Sequence, residues 1–300
     1  MAARIDTMLI LGLGLIGGSL ARALKARGFC RRIVGYGHRE ASLQRGVELG
    51  VIDSYTLDLD AALAEADLIV VATPTLVAAQ MLERILPRLA ELGRAPVITD
   101  VASVKGNLQR AAIACCGAMP PNLVLGHPIA GSEKSGVEAS REDLFVNHRV
   151  ILTPAAENDP QAVQLVRDLW EVTGAEVVDM AVDDHDAVLA ATSHLPHMLA
   201  YALVDALAQS PMSTDIFRFA AGGFRDFTRI ASSDPVMWRD IAIANRDAVL
   251  ATIDQFSAQL ASLRAAVERE DADAMLQTFS RAKAARDEFA LMLEARSRKD

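Results

Sequence analysis

At 300 residues, 51% hydrophobic and 23% charged, the chain has the composition of a well-packed globular protein and is longer than one hydrophobic core usually serves, so two domains are expected. A formal charge of −9 excludes a broad basic face for nucleic acid or an anionic membrane, while a local arginine cluster could still bind a small anionic substrate. The three cysteines, Cys30, Cys115 and Cys116, make a poor disulfide framework and point to a reducing, cytoplasmic compartment.

Arg4 and the apolar run 8–21 have the outline of a signal peptide. That run, however, contains Gly12, Gly14, Gly17 and Gly18, and no small-residue cleavage site follows it. No later segment reads as apolar for long enough to cross a bilayer, so the expectation is a soluble, unprocessed chain with no membrane partner. Short apolar runs at 8–11, 33–36, 68–72, 97–99, 123–125, 150–152 and 176–178 read as buried strands. Amphipathic stretches at 20–27, 76–92, 104–115 and 161–172 alternate with them as helices. This alternation predicts a doubly wound, mostly parallel α/β sheet over residues 1–180. Beyond Met180 the pattern turns helical: 182–208 with a kink at Pro196, then 236–264 after the cap Ser233-Asp234-Pro235, then 272–296. Residues 181–300 are therefore expected to form an all-helical domain, apolar enough to pack against a second copy as a homodimer.

The first strand runs into Gly12-Leu-Gly14-Leu15-Ile16-Gly17-Gly18-Ser19 and then a helix. In such a loop Gly12 permits the turn, Gly14 lets a pyrophosphate approach the backbone, and Gly17 lets helix and strand pack closely. Free amides at the helix start then hold the phosphates. An NAD site usually carries an acidic residue at the end of the second strand. Here Gly37 stands in its place, followed by His38 and Arg39, which favours NADP or dual use of NAD and NADP; Arg39 as a solvated loop residue is the competing reading.

Three further segments concentrate polar groups. Asp100-Val-Ala-Ser103-Val-Lys105-Gly106 follows a strand, where open α/β sheets place ligands. The next strand leads into Gly126-His127-Pro128 and a glycine-rich loop through Gly136; His127 there can accept a hydroxyl proton, or be a structural histidine. Gly222-Gly223-Phe224-Arg225-Asp226-Phe227-Thr228-Arg229 sets two arginines beside paired glycines, suited to clamping a carboxylate or else simply solvated on a helix. His194 and His197, with Asp183, Asp184, His185 and Asp186 upstream, lack a recognisable ligand spacing, so helix packing or substrate contact is preferred and no metal is assigned.

Taken in order, these residues resemble the prephenate and arogenate (cyclohexadienyl) dehydrogenases of tyrosine biosynthesis. The resemblance spans nearly the whole chain. It rests on the glycine loop, Ala72-Thr73-Pro74, the segment from Asp100 to Lys105, Gly126 to Gly136, Ser193-His-Leu-Pro-His197, Phe224 to Ala231, and Asp234-Pro-Val-Met-Trp238-Arg-Asp240. The resemblance implies oxidative decarboxylation of prephenate, arogenate or both, with NAD or NADP. It implies His127 as the base for the ring hydroxyl and Ser103 as a hydrogen-bonding partner of that oxygen and the nicotinamide. Arg229 would bind the ring carboxylate, His197 would face the side-chain end and Glu133 would gate the pocket, with Arg225, Asp226 and Trp238 shaping its wall. Cofactor contacts would come from Gly12, Gly14, Leu15, Ile16, Gly17, His38, Arg39, Thr73, Pro74 and Ser103. The length leaves no room for a regulatory ACT or chorismate mutase domain, so inhibition by tyrosine is expected at the active site itself. Two rivals stand beside this reading. A β-hydroxyacid or imine reductase would need a catalytic lysine in the helical domain, where no convincing candidate occurs. A non-catalytic NAD(P) sensor would have lost the base or the clamp.

Overall fold

The computed structural model describes residues 4–132 and 134–297 and divides into two compact units, Met1–Arg246 and Asp247–Asp300. The first unit opens with β1 (Ile5–Leu11), α1 (Leu15–Ala26), β2 (Cys30–Tyr36), α2 (Glu40–Glu48), β3 (Ser54–Thr56), α3 (Leu59–Glu65) and β4 (Leu68–Val71). It continues with α4 (Thr75–Glu91), β5 (Val97–Asp100), α5 (Gly106–Cys116), β6 (Leu123–Pro128), β7 (Arg149–Thr153), α6 (Pro160–Glu171) and β8 (Glu176–Asp179). One eight-stranded sheet results, in the order β3-β2-β1-β4-β5-β6-β7-β8. It is parallel except at β6–β7, where His127 lies opposite Ile151 in antiparallel register.

The sheet is buried on both faces, which is why its strands read as continuous apolar runs. Along β1, Met8 and Ile10 enter one core cluster while Leu9 and Leu11 enter the other; along β4, Leu68 and Val70 separate from Ile69 and Val71 in the same way. The apolar run 8–21 thus belongs to a central strand and its following helix. The chain reverses winding direction between β1 and β4, and it is at such a switch point that open α/β sheets leave a crevice beyond their strand ends. The turns after both strands, at Gly12 and at Ala72–Pro74, meet there.

The rest of the first unit is helical: α7 (Val182–Leu189), a π-helical turn (Ala190–His194), α8 (Leu195–Ala208), α9 (Ser213–Arg218), α10 (Gly222–Thr228), a 3₁₀ turn (Arg229–Ser232) and α11 (Pro235–Ala244). Three sequence expectations are corrected here. Pro196 does not break the helix; it sits in the first turn of α8, and its missing N–H is accommodated by the wider π turn just before it. Val182–Ala208 is consequently a continuous helix long and apolar enough to cross a membrane by length and composition, contrary to expectation. Its polar residues His185, Asp186 and His194 are nevertheless buried within this unit, in the hydrogen bonds described below. The stretch 236–264 is not one helix. It breaks at Asn245, whose side chain is drawn inward to Asp186 and His194.

The second unit is built from α12 (Arg246–Glu268), whose first residue closes the first unit, and α13 (Ala272–Ser297). Glu270 turns between them at φ 54°, and Asp271 caps α13 by accepting the Ala274 amide at 3.0 Å. Leu250, Phe256, Leu260, Leu276, Phe279 and Phe289 are exposed on this pair.

Candidate active site

The glycine turn after β1 is shaped by close approach. Gly12 has φ +97°, and a Cβ there would lie 2.8 Å from the carbonyl oxygen of Ala72. A Cβ on Gly17 would lie 2.6 Å from the Gly12 carbonyl oxygen and 2.9 Å from the Ala72 Cβ. A Cβ on Gly14, by contrast, would meet nothing within 4 Å. Gly14 is the N-cap of α1 and offers no side-chain cap, and the first turn, holding Leu15 and Ile16, contains no acidic residue. Uncapped amides facing open space suit an anionic pyrophosphate. The buried Thr73 hydroxyl beside this turn has no hydrogen-bond partner among the described residues, and Pro74 follows it in an exposed position. His38 and Arg39 are exposed at the mouth of the loop after β2, with Arg39 as the N-cap of α2.

This geometry separates two substitutions. Gly17→Ala forces atoms against backbone and is expected to cost about 1–3 kcal/mol of stability. Gly14→Ala leaves thermal stability unchanged but weakens dinucleotide binding about tenfold or more, because the added methyl occupies the open space. Melting curves with and without cofactor check both; equal effects on stability would contradict the assignment.

His127 is the penultimate residue of β6, and Ser103 lies half-buried in the loop between β5 and α5, the adjacent strand end. Below them lies a buried polar network. Lys105, with no exposed surface, forms an ion pair with the equally buried Asp100 and donates to the Gly126 carbonyl at 2.6 Å. Asp100 also accepts the amides of Ala102 at 2.8 Å and Gly126 at 3.1 Å. Two hydrogen bonds therefore pin the residue preceding His127. The His127 Nδ1 lies 2.9 Å from the His185 Nε2, and the His185 Nδ1 lies 2.8 Å from Asp186 Oδ1. Asp186 in turn accepts the Lys105 amide at 2.9 Å and the Gly106 amide at 2.8 Å, at the start of α5.

Burial holds His127 well below the ordinary histidine range, with His185, Lys105 and His194 adding repulsion. Burial lowers His185 as well, opposed by its hydrogen bond to Asp186. It also brings His194 down to about 4. Asp186 is raised by burial, but the hydrogen bonds from His185, Lys105 and Gly106 carry it below the usual carboxylate value. A neutral His127 is the form that can accept a proton.

These shifts have a consequence for stability. Each buried histidine binds its proton more readily in the unfolded chain, near pH 6.5, so stability rises with pH across the window between folded and unfolded values. The contribution is complete above about pH 6.5 and is lost as pH falls towards 4; for His194 alone it amounts to roughly 3 kcal/mol. Melting temperature is therefore expected to fall steeply from pH 7 to pH 5, and a flat or rising profile would contradict neutral burial.

The remaining wall comes from the helices. His197 stacks on Trp238 with ring centroids 3.5 Å apart and 19° between planes, while His194 meets the same indole edge-on at 6.2 Å. The Ser193 carbonyl, 2.9 Å from His197 Nδ1, makes that nitrogen the protonated one. Burial lowers His197, the hydrogen bond with the Ser193 carbonyl opposes this, and the positive charge of Arg229, exposed at the start of the 3₁₀ turn, adds a smaller lowering. The Trp238 indole N–H is buried with no partner among the described residues. Asn245 donates to the Asp186 carbonyl at 2.8 Å and approaches His194 Nδ1 at 3.1 Å, joining the two halves of the network. Val104, Ile241 and Ala244 pack beneath Trp238.

Not every expected residue converges. Arg225 is strongly exposed and paired with its neighbour Asp226 at 3.2 Å, so the two arginines do not form one clamp among the described contacts. Glu133 lies outside the described residues. His185, Asp186 and Asn245 were missed as parts of the site. Their proximity in sequence to the SHLPH segment and to the Asp-Pro helix start was the available signal, and nothing local distinguishes them from ordinary helix residues.

A switch-point glycine turn, a neutral histidine at a neighbouring strand end and a wall of stacked histidine and tryptophan fit a dinucleotide-dependent oxidoreductase. Comparison with known proteins narrows the class. Residues 20–179 match the model of the prephenate dehydrogenase nucleotide-binding domain, and residues 181–281 match that of the prephenate dehydrogenase dimerization domain. The chain is 40% identical to a prephenate dehydrogenase of Bacillus subtilis over 297 residues, covering 95% of this chain and 76% of that protein. It is 37% identical to a cyclohexadienyl dehydrogenase of Zymomonas mobilis, covering 92% and 94%. Its fold superposes with a TM-score of 0.86 and 36% identity on the prephenate dehydrogenase of Aquifex aeolicus, solved with hydroxyphenyl propionate and NAD+, covering 95% and 98%. The chain belongs to the prephenate dehydrogenase family.

Proposed function

We propose that this protein is an NAD(P)-dependent prephenate dehydrogenase that converts prephenate to 4-hydroxyphenylpyruvate and carbon dioxide. The observation that carries the reading is the neutral, buried His127 at a strand end of the dinucleotide-binding sheet. When bound, the nicotinamide supplies the acceptor for hydride. His127 takes the proton of the ring hydroxyl, and Ser103 hydrogen-bonds to the same oxygen. Arg229 holds the ring carboxylate that leaves as carbon dioxide. His197 meets the side-chain end of the substrate, and Trp238, Arg225 and Asp226 shape the wall. Aromatisation drives the reaction, so the chain's task is orientation plus one base and one anion clamp.

The cofactor rests on Gly12, Gly14, Leu15, Ile16, Gly17, Thr73, Pro74 and Ser103, with His38 and Arg39 at its adenosine end. The exposed Arg39, and the lack of an acidic residue at Gly37, support use of NADP alongside NAD. We place the division between the nucleotide-binding and helical domains at 180/181, and read the exposed apolar residues of α12 and α13 as a homodimer surface in a soluble cytoplasmic enzyme. The Zymomonas relative supports a second reading in which arogenate is also accepted, since the two substrates differ only at the side chain.

The test of the function is stoichiometry: one carbon dioxide released for each cofactor reduced with prephenate. Reduction without decarboxylation would overturn it. Tyrosine is proposed to bind the same pocket as a product analogue and to inhibit competitively with prephenate; non-competitive kinetics would count against that.

A further inference from the structure

We propose that His185 and Asp186 are positioning residues for His127, fixing its tautomer so that Nε2 carries the lone pair and receiving the positive charge that builds when it is protonated. This rests on the reading of His127 as the base.

The tautomers follow from donors that cannot reverse. The amides of Lys105 and Gly106 can only donate, and both donate to Asp186, which its hydrogen bonds keep ionised. Asp186 Oδ1 must therefore accept from His185, at 2.8 Å, and this makes Nδ1 the protonated nitrogen of His185. The His185 Nε2 is then a bare lone pair. The only hydrogen bond it can make with His127 Nδ1, 2.9 Å away, is as acceptor. His127 Nδ1 thus carries the proton, and its Nε2 is left free to act as base. A carboxylate two residues removed along this chain sets which nitrogen of the base is available.

The same chain answers an electrostatic difficulty. His127 is buried, and the groups facing it from neighbouring elements are Lys105 at the start of α5, His194 on the π turn and His185 on α7, all of which disfavour its cation. The carboxylates joined to this network are Asp100 at the end of β5, already paired with Lys105, and Asp186 on α7, which accepts from His185. When Nε2 takes the hydroxyl proton, the Nδ1 proton can pass to His185 Nε2. No proton is gained or lost in that shift; the positive charge moves to His185, where Nδ1–H already donates to Asp186. The oxidation is thereby coupled to an ion pair formed deeper in the protein, where Asp186 and Asp100 offset the repulsion that Lys105 exerts on His185 as well.

The first test is spectroscopic and needs no substrate. In ¹⁵N-histidine-labelled wild-type protein at neutral pH, His127 and His185 are both expected as Nδ1–H tautomers, and Asp186→Asn is expected to convert His185 to the Nε2–H form. Finding His127 protonated at Nε2 in the wild type would overturn the proposal. Kinetics give the second arm. His185→Leu, which removes the acceptor, is expected to lower kcat for prephenate about a hundredfold with KM within about threefold. His185→Gln, which keeps an acceptor oxygen, is expected to remain within about tenfold of wild type. Wild-type turnover by His185→Leu, or equal loss in both variants with the wild-type tautomers unchanged, would overturn the positioning role. A wild-type protein with the expected tautomers but no oxidation of prephenate would support the chain of hydrogen bonds and overturn the functional reading instead.

Discussion

Exchange of His127 for Asn is expected to lower kcat with prephenate about a thousandfold, equivalent to about 4 kcal/mol of transition-state stabilisation. Asn is small enough for the buried strand end and can still hydrogen-bond, but it cannot accept the hydroxyl proton. KM and cofactor affinity are expected to stay within a few-fold, because the dinucleotide turn and the Arg229 side of the pocket are built from other elements. Steady-state kinetics and cofactor titration on the same preparation check both halves. Unchanged turnover would remove His127 from the chemistry.

The second large effect concerns stability. Lys105→Met leaves the Asp100 carboxylate fully buried with only the amides of Ala102 and Gly126 to satisfy it. Breaking a buried ion pair from one side typically costs about 3–5 kcal/mol, because the remaining charge is uncompensated. A neutral partner should relieve much of this, so Lys105→Met combined with Asp100→Asn is expected to be more stable than Lys105→Met alone. Urea denaturation of the single and double variants measures the difference. A single variant as stable as wild type would mean that Asp100 is neutral or finds another partner.

The parts of this protein that sequence made legible are those whose meaning is local. The turn from Gly12 to Gly17 is legible because its glycine spacing between a strand and a helix is a local signal, although the approaches that Gly12 and Gly17 accommodate reach Ala72 beyond β4. His127 could be placed at a strand end from the apolar run before it. The alternating strands and helices, and the helical second half, followed from periodicity. What periodicity cannot report is pairing across the chain. His127 meets His185 over a separation of 58 residues, and Lys105 meets Asp186 over 81. His185 and Asp186 read as part of a segment suited to helix packing or substrate contact, and only the fold shows them joined to the base. The break at Asn245 was hidden for the same reason: the apolar pattern continues through it, while its side chain answers to Asp186 and His194. At Pro196 the local rule was sound but incomplete, since a π turn lets proline sit in a continuous helix. The second half of the site is tertiary in origin, and the first half is written along the strands.

The central claim is that this chain oxidises prephenate with a nicotinamide dinucleotide. The most direct measurement follows reduced-cofactor formation by the purified protein with prephenate and with arogenate, each with NAD and with NADP. Turnover with prephenate is the predicted result, and the ratio of NADP to NAD rates reports what Arg39 contributes. Folded protein that binds the dinucleotide yet is silent with prephenate under both cofactors would contradict the account.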